Sequence, residues 1–318
     1  MHKENSSISN FKKYVLTILF PVLLIVGIMA AAFNFLFEKN IILSNENGGA
    51  YKINRIINLN DPFEIPIIGS SRAEASFVPE ILGVNYFNYG LEGTQENVML
   101  FFINEECKKK NKKSPIIIAN IDLDGINIKT GDMANYLYNS DDESVRKLMG
   151  DKYEFQYAIP FVKYGGQFEN YFRNYLNNKM QLTKYSKKGA FIDKTVLPQK
   201  LIDALIEYRK THQDVFLHED NLKKDFFNSL NLNKDRFFVF VVPPYHSCYF
   251  TNYKNPGDAK AFLDELRSLS NVRVFDFSGV KYPDSLFINT THLNYNGALR
   301  FTNEFKDSLN TLEISNFK

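Results

Sequence analysis

Two distant segments carry the residue types of a nucleophile and its base. Gly69-Ser70-Ser71-Arg72 follows the apolar run Ile65-Pro66-Ile67-Ile68, and Asn289-Thr290-Thr291-His292-Leu293-Asn294 precedes the last helical pattern of the chain. A serine hydroxyl attacks a carbonyl once an imidazole takes its proton, and reactive groups of open α/β sheets gather at the carboxyl ends of strands. Ser71 is the candidate nucleophile, His292 the candidate base and Asn289 the group that orients it. Gly69 permits the tight turn, and the Ser71 backbone N–H at a helix start can face a developing oxyanion. An Asn side chain holds an imidazole by accepting a hydrogen bond but brings no charge to it. The Asp-to-Asn change in a serine-protease triad costs about 10⁴ in rate. The plainer alternatives are a helix N-cap for the serines and a structural role for the histidine.

Four further positions join this set. Asn88-Tyr89-Gly90-Leu91-Glu92-Gly93-Thr94 carries two glycines, Gly90 and Gly93, and a connection that needs glycine for backbone freedom explains both. Asp122, with Asp124 beside it in Asn120-Ile121-Asp122-Leu123-Asp124-Gly125, either orients an acidic or hydroxyl group of a substrate or merely ends a strand. Arg72 can reach a carboxylate or phosphate, or lie solvated at the helix start. His246, in Pro243-Pro244-Tyr245-His246-Ser247, follows a strand and so reads as near the substrate, as a reserve base, or as a packed loop residue. Arg72, Asp122 and His246 are therefore assigned as substrate-proximal. Cys107 and Cys248 are too few for a disulfide framework and stand in no metal-ligand spacing, and no cofactor is implied.

The elements that must position these residues alternate. Apolar strands are expected at 65–69, 84–90, 115–122, 236–242 and 272–277, with a short helix or turn at 76–82 and helices at 95–110, 259–269 and 297–309. Strands alternating with helices give an α/β fold with a parallel sheet covered on both faces. Residues 126–233 switch to amphipathic helices and polar turns, which reads as a helical insertion because the strand pattern resumes afterwards. No repeats are apparent. The net charge of +2 over 318 residues leaves no basic face for nucleic acid.

Residues 14–37 contain no charged side chain, and only Thr17 and Asn34 are clearly polar. About 20 apolar residues cross a bilayer core, so this stretch reads as a transmembrane anchor. Lys3, Lys12 and Lys13 precede it, which places residues 1–13 in the cytoplasm and the main domain outside. Ala30-Ala31-Ala32 offers a signal-peptidase alternative, but the apolar stretch exceeds the usual signal core and continues through Phe37. Residues 38–58, polar and mixed, read as a tether, and 59–318 as the domain.

The Gly-Ser-Ser turn, the Gly93 segment and the His292-Leu-Asn segment together resemble the SGNH/GDSL hydrolase superfamily over about residues 59–318. The resemblance makes Gly93, with Gly90 the alternative, a second oxyanion N–H donor; Ser70 replaces the Asp of the Gly-Asp-Ser block, the Asn of the third block is missing, and Asn289 replaces the Asp of the Asp-x-x-His block. With one N-terminal anchor, the chain looks like the membrane-tethered branch, which includes polysaccharide O-acetylation and teichoic-acid D-alanyl transfer proteins. That resemblance implies a flavodoxin-like three-layer sandwich around a five-stranded parallel sheet. It also implies serine esterase or O-acyltransferase chemistry on acyl esters of cell-envelope polysaccharide, beside a multi-pass membrane acyltransferase. The alternative it allows is a catalytically impaired glycan-binding or scaffolding subunit.

Overall fold

The computed structural model describes residues 11–159, 162–180 and 184–312. Lys3 and most of the N-terminal tail lie outside the described residues. Phe11–Ile42 forms one N-terminal helix long and apolar enough to cross a membrane; its central part is α1 (Phe20–Phe37), which exposes most of its apolar side chains.

Within the stretch 38–58, residues 49–58 pack on the domain. Gly49–Asn58 forms α2, an amphipathic helix whose Ile53 and Ile56 are fully buried. Its mixed sequence hides the reason: Lys52 is itself fully buried, with Nζ 2.7 Å from Glu74 Oε1 and bonded to the Gly90 carbonyl. A lysine that ordinarily marks a solvated position here fastens the helix to the domain.

Five strands build the main sheet: β1 (Ile65–Ile68), β2 (Tyr86–Asn88), β3 (Ile116–Asn120) and, after the insertion, two more. Between them run α3 (Ser71–Ser76), α4 (Pro79–Leu82) and α5 (Glu96–Lys108). The insertion contains β4 (Gly125–Ile126), α6 (Glu143–Met149), α7 (Phe168–Met180), β5 (Lys184–Lys187), β6 (Ala190–Asp193), α8 (Gln199–Thr211), β7 (Leu217–His218) and α9 (Asp220–Leu232). The main sheet then resumes with β8 (Phe237–Val242), α10 (Pro256–Arg267), β9 (Val272–Asp276) and α11 (Tyr295–Asn310).

The strand order is β2-β1-β3-β8-β9, and every neighbouring pair is parallel. Central parallel strands are apolar on both faces because both are covered. Thus Ile117, Ala119, Phe238, Phe240 and Val242 enter a core shared with α2, α5 and α10. Their alternates Ile116, Ile118, Phe237, Val239 and Val241 enter a second core shared with α3 and α11.

The insertion is less purely helical than its sequence pattern suggests. Its β5–β6 pair is antiparallel, with Tyr185 opposite Ile192 and both buried. Lysines at 184, 187 and 188 mask the two-residue alternation there. The short parallel β4–β7 pairing, Gly125 with Leu217 and Ile126 with His218, ties the two ends of the insertion together.

Candidate active site

Ser71 begins α3 at the carboxyl end of β1. The preceding Ser70 caps that helix, its hydroxyl accepting from the Arg72 N–H at 3.1 Å and donating to Asp122 Oδ2 at 2.5 Å. Ser70 therefore performs the N-cap role, which frees the Ser71 side chain for something else. Ser71 Oγ lies 2.8 Å from His292 Nε2.

The loop before α11 fixes the tautomer of that histidine. Asn289 Oδ1 accepts from the N–H groups of Thr291 at 2.9 Å and His292 at 2.8 Å, and stands 3.1 Å from His292 Nδ1. An amide oxygen only accepts, so Nδ1 carries the proton and Nε2 presents its lone pair to the Ser71 hydroxyl. Thr291 Oγ1, 3.0 Å from Nδ1, closes the same side. Burial, and then the positive charge of Arg72, push the His292 pKa down to about 4, while Asp122 opposes them. The imidazole is neutral at pH 7, the form a general base needs, but its basicity is low.

The two glycine candidates separate cleanly. The Gly90 N–H is taken by Asn88 Oδ1 at 2.8 Å, and a Cβ at Gly90 would lie 2.3 Å from the Glu74 nitrogen, so Gly90 exists to let α3 approach. Gly93, at φ +74°, lines the same cavity as Ser71 and His292.

That cavity, about 190 Å³, is bordered by Ser71, Arg72, Gly93, Asp122 and His292 among others. Arg72 is not a solvated helix-start residue: it is 3% exposed. Its guanidinium donates to the carbonyls of Thr291 at 2.9 Å, Pro243 at 2.8 Å and Pro244 at 3.0 Å, and lies 3.5 Å over the Tyr245 ring. It also faces Asp122 at 3.5 Å. One side chain thus joins the nucleophile's helix, the loop after β8 and the loop bearing His292. Asp122 in turn accepts from Ser70 and from Asn120 Nδ2 at 2.8 Å, which places a carboxylate at the cavity wall.

His246 does not belong to this group. It is buried outside the cavity lining, with Nε2 3.1 Å from Asp284 Oδ1 and Nδ1 2.9 Å from Cys248 Sγ, and it caps the turn Ser247–Asn252. Of the readings open for it, these contacts fit a packed loop residue. Asp284 accordingly serves His246 and not His292. Cys107 and Cys248 are both free thiols.

Several cavity residues escaped the sequence reading. Arg209 of α8 and Asp214, which form an ion pair, bring the insertion to the site, and the Arg209 guanidinium lies 4.5 Å over the Tyr249 ring. No spacing links them to Ser71, so no sequence signal marks them. Gln95 Nε2 donates to Asp124 Oδ2 at 2.7 Å. Burial, followed by the neighbouring Asp122, raises Asp124 to about 6. The same causes push the buried Glu96 well above the ordinary carboxylate range.

No protein-family model matches the chain, and no curated protein matches it.

Proposed function

We propose that the protein is an extracytoplasmic, membrane-anchored serine esterase or O-acyltransferase that acts on acyl esters of cell-envelope polysaccharide. The observation that carries the chemistry is the hydrogen-bonded series from Ser71 Oγ through His292 to Asn289. In this reading Ser71 Oγ bonds to the acyl carbonyl carbon as its proton passes to His292 Nε2. The N–H groups of Ser71 and Gly93 receive the oxyanion. His292 then returns the proton to the departing alkoxide, which leaves an acyl-serine ester. Water or a sugar hydroxyl attacks that ester in the second half, with His292 again taking and returning the proton.

Membership in the SGNH/GDSL superfamily and a flavodoxin-like three-layer arrangement complete the reading. The strand order and the helices packed on both faces of the sheet support it. The apolar N-terminal helix supports the anchor, and Lys12 and Lys13 before it support a cytoplasmic N-terminus. A multi-pass membrane acyltransferase that delivers the acyl group is the partner this topology suits.

A specific observation favours a second reading, a catalytically impaired glycan-binding or scaffolding subunit. His292 is held at low basicity beside an uncharged Asn289, and Asp122 adds negative charge to the cavity. One experiment separates the two. A fluorophosphonate that esterifies activated serines labels the wild type and not Ser71→Ala under the enzymatic reading. Equal labelling of both, or polymer binding without any ester turnover, selects the second.

A further inference from the structure

The anchor does not leave the membrane into open solvent. The Phe37 ring lies 4.8 Å from Phe168 of α7, 5.6 Å from Tyr164 and 5.9 Å from Tyr171. Phe33, one turn earlier, lies 6.0 Å from Phe168. Phe33 is four residues before Phe37, the last residue of the uncharged run, which is about 6 Å at the rise of an α-helix. Whatever touches Phe33 is therefore at the level where that run ends. Immediately beyond, Glu38 meets Lys163 at 3.1 Å and the Tyr164 hydroxyl at 2.7 Å, a polar collar at headgroup height.

The sequence of α7 matches that position. Phe168, Tyr171, Phe172, Tyr175 and Leu176 repeat at the spacing of one helical face. Glu169 and Arg173 pair along the edge of that face, beside Leu176, as charges at a headgroup boundary would. Phe168 and Tyr171 meet the anchor, but Phe172 is 52% and Leu176 40% exposed. The apolar face thus starts on the membrane helix and continues, uncovered, away from it.

We infer that α7 is an interfacial helix, which lays Phe172 and Leu176 into the headgroup–acyl boundary of the bilayer and so seats the domain on the membrane. The occupant is lipid because the face is continuous with the side of a helix that must itself be in lipid at that depth. Amphipathic helices of this kind lie with their apolar face about 5–10 Å into that boundary. Two contacts, the anchor and α7, fix the domain's tilt where one would let it swivel, and with it the direction in which the cavity opens. The inference rests on the membrane-span part of the reading above and not on the ester chemistry.

The chain has no tryptophan, so each introduced tryptophan is a unique reporter. Phe172→Trp, Leu176→Trp, Phe20→Trp and Asn303→Trp are made separately in the full chain and placed in nanodiscs with or without acyl-brominated phospholipid. Asn303 is exposed on α11, across the sheet from the core that holds Phe37. Emission from Phe172→Trp and Leu176→Trp should fall at least twofold in brominated lipid, Phe20→Trp at least as much, and Asn303→Trp not at all. Iodide added to the aqueous phase should give the reverse order. If both α7 reporters behave like Asn303→Trp while Phe20→Trp is quenched, the inference fails and the anchor stands. An unquenched Phe20→Trp removes the span and the inference together, leaving the Ser71 labelling result untouched.

Discussion

Placing a carboxylate behind His292 is the sharpest test of the catalytic reading. Asn289→Asp changes one amide to a carboxylate of the same shape. Every contact of Asn289 Oδ1 is with a donor: the Thr291 and His292 N–H groups, the Thr291 hydroxyl and His292 Nδ1. A carboxylate oxygen accepts all of them, so the loop keeps its geometry and only the charge changes. Two unit charges about 4 Å apart interact by about 4 kcal/mol at an effective dielectric of about 20. At about 1.4 kcal/mol per decade, that favours the imidazolium of the transition state by up to about 10³-fold. The loss of about 10⁴ for the reverse change in a serine-protease triad sets the ceiling.

Two signatures follow for kcat/KM on a small activated acetyl ester. With His292 at about 4, wild-type activity should hold until pH falls to about 4, because the base must be neutral to act. In Asn289→Asp the rate at pH 8 should rise by about 10²–10³, and the acid limb should move up toward neutrality. The gain should therefore shrink as pH falls, and disappear altogether in a Ser71→Ala background. A folded Asn289→Asp protein with an unchanged rate and an unmoved acid limb would refute the assignment of His292 as the base.

Other consequences are open to measurement. Arg72→Met leaves Asp122 buried without its cation and frees three carbonyls; it should cost about 3–5 kcal/mol in urea unfolding, with partial recovery in Arg72→Met/Asp122→Asn. The same Arg72→Met change removes a charge that lowers His292, so any residual activity should show an acid limb at higher pH, whereas a purely structural arginine would leave it in place. His292 titrates at about 4 folded against an ordinary 6.5, so the unfolded chain binds the proton first. Its contribution is present above pH 6.5 and is lost as pH falls toward 4, by about 3 kcal/mol, and His292→Gln should flatten that slope in pH-dependent melts. Lys52→Met leaves Glu74 unpaired in the interior and should cost about 3–5 kcal/mol in unfolding; a value near zero would return residues 49–58 to the status of a tether.

What was legible in the sequence, and what was not, divides along a physical line. The strands of the main sheet announce themselves because both faces are buried, so runs such as Phe237–Val242 hold nothing but apolar residues. The Ser71, Asn289 and His292 positions stand out because their contacts depend on short local spacings: Asn289 reaches His292 Nδ1 across one turn, and Ser70 caps the helix that Ser71 begins. Failure comes where charge is buried. Lys52 disguised α2, Arg72 read as a residue open to substrate or solvent, and Arg209 carried no mark at all, yet each is less than a tenth exposed and paired with an acid. A charged side chain is read as surface because burying it alone is prohibitive, and its partner is supplied by a segment 22, 50 or 5 residues away, as in Lys52–Glu74, Arg72–Asp122 and Arg209–Asp214.

These pairs are not ornaments of the fold. Lys52 holds α2 against the strand-end loop through the Gly90 carbonyl, and Arg72 binds the two loops that flank the Ser71 hydroxyl. Arg209, paired with Asp214, carries the insertion to the cavity. Replacement of a buried ion pair by apolar residues is often neutral or stabilising, so stability alone is a weak account of three such pairs around one hydroxyl. Their common geometry is convergence: Lys52 and Arg72 tie elements distant in sequence to the turn that carries Ser71, and Arg209 meets the Tyr249 ring beside the cavity. A double-mutant series that exchanges each pair for apolar residues of similar volume separates the two accounts. If the pairs serve only the fold, stability and ester turnover move together; if they set the register of the site, turnover falls while the unfolding midpoint holds or rises.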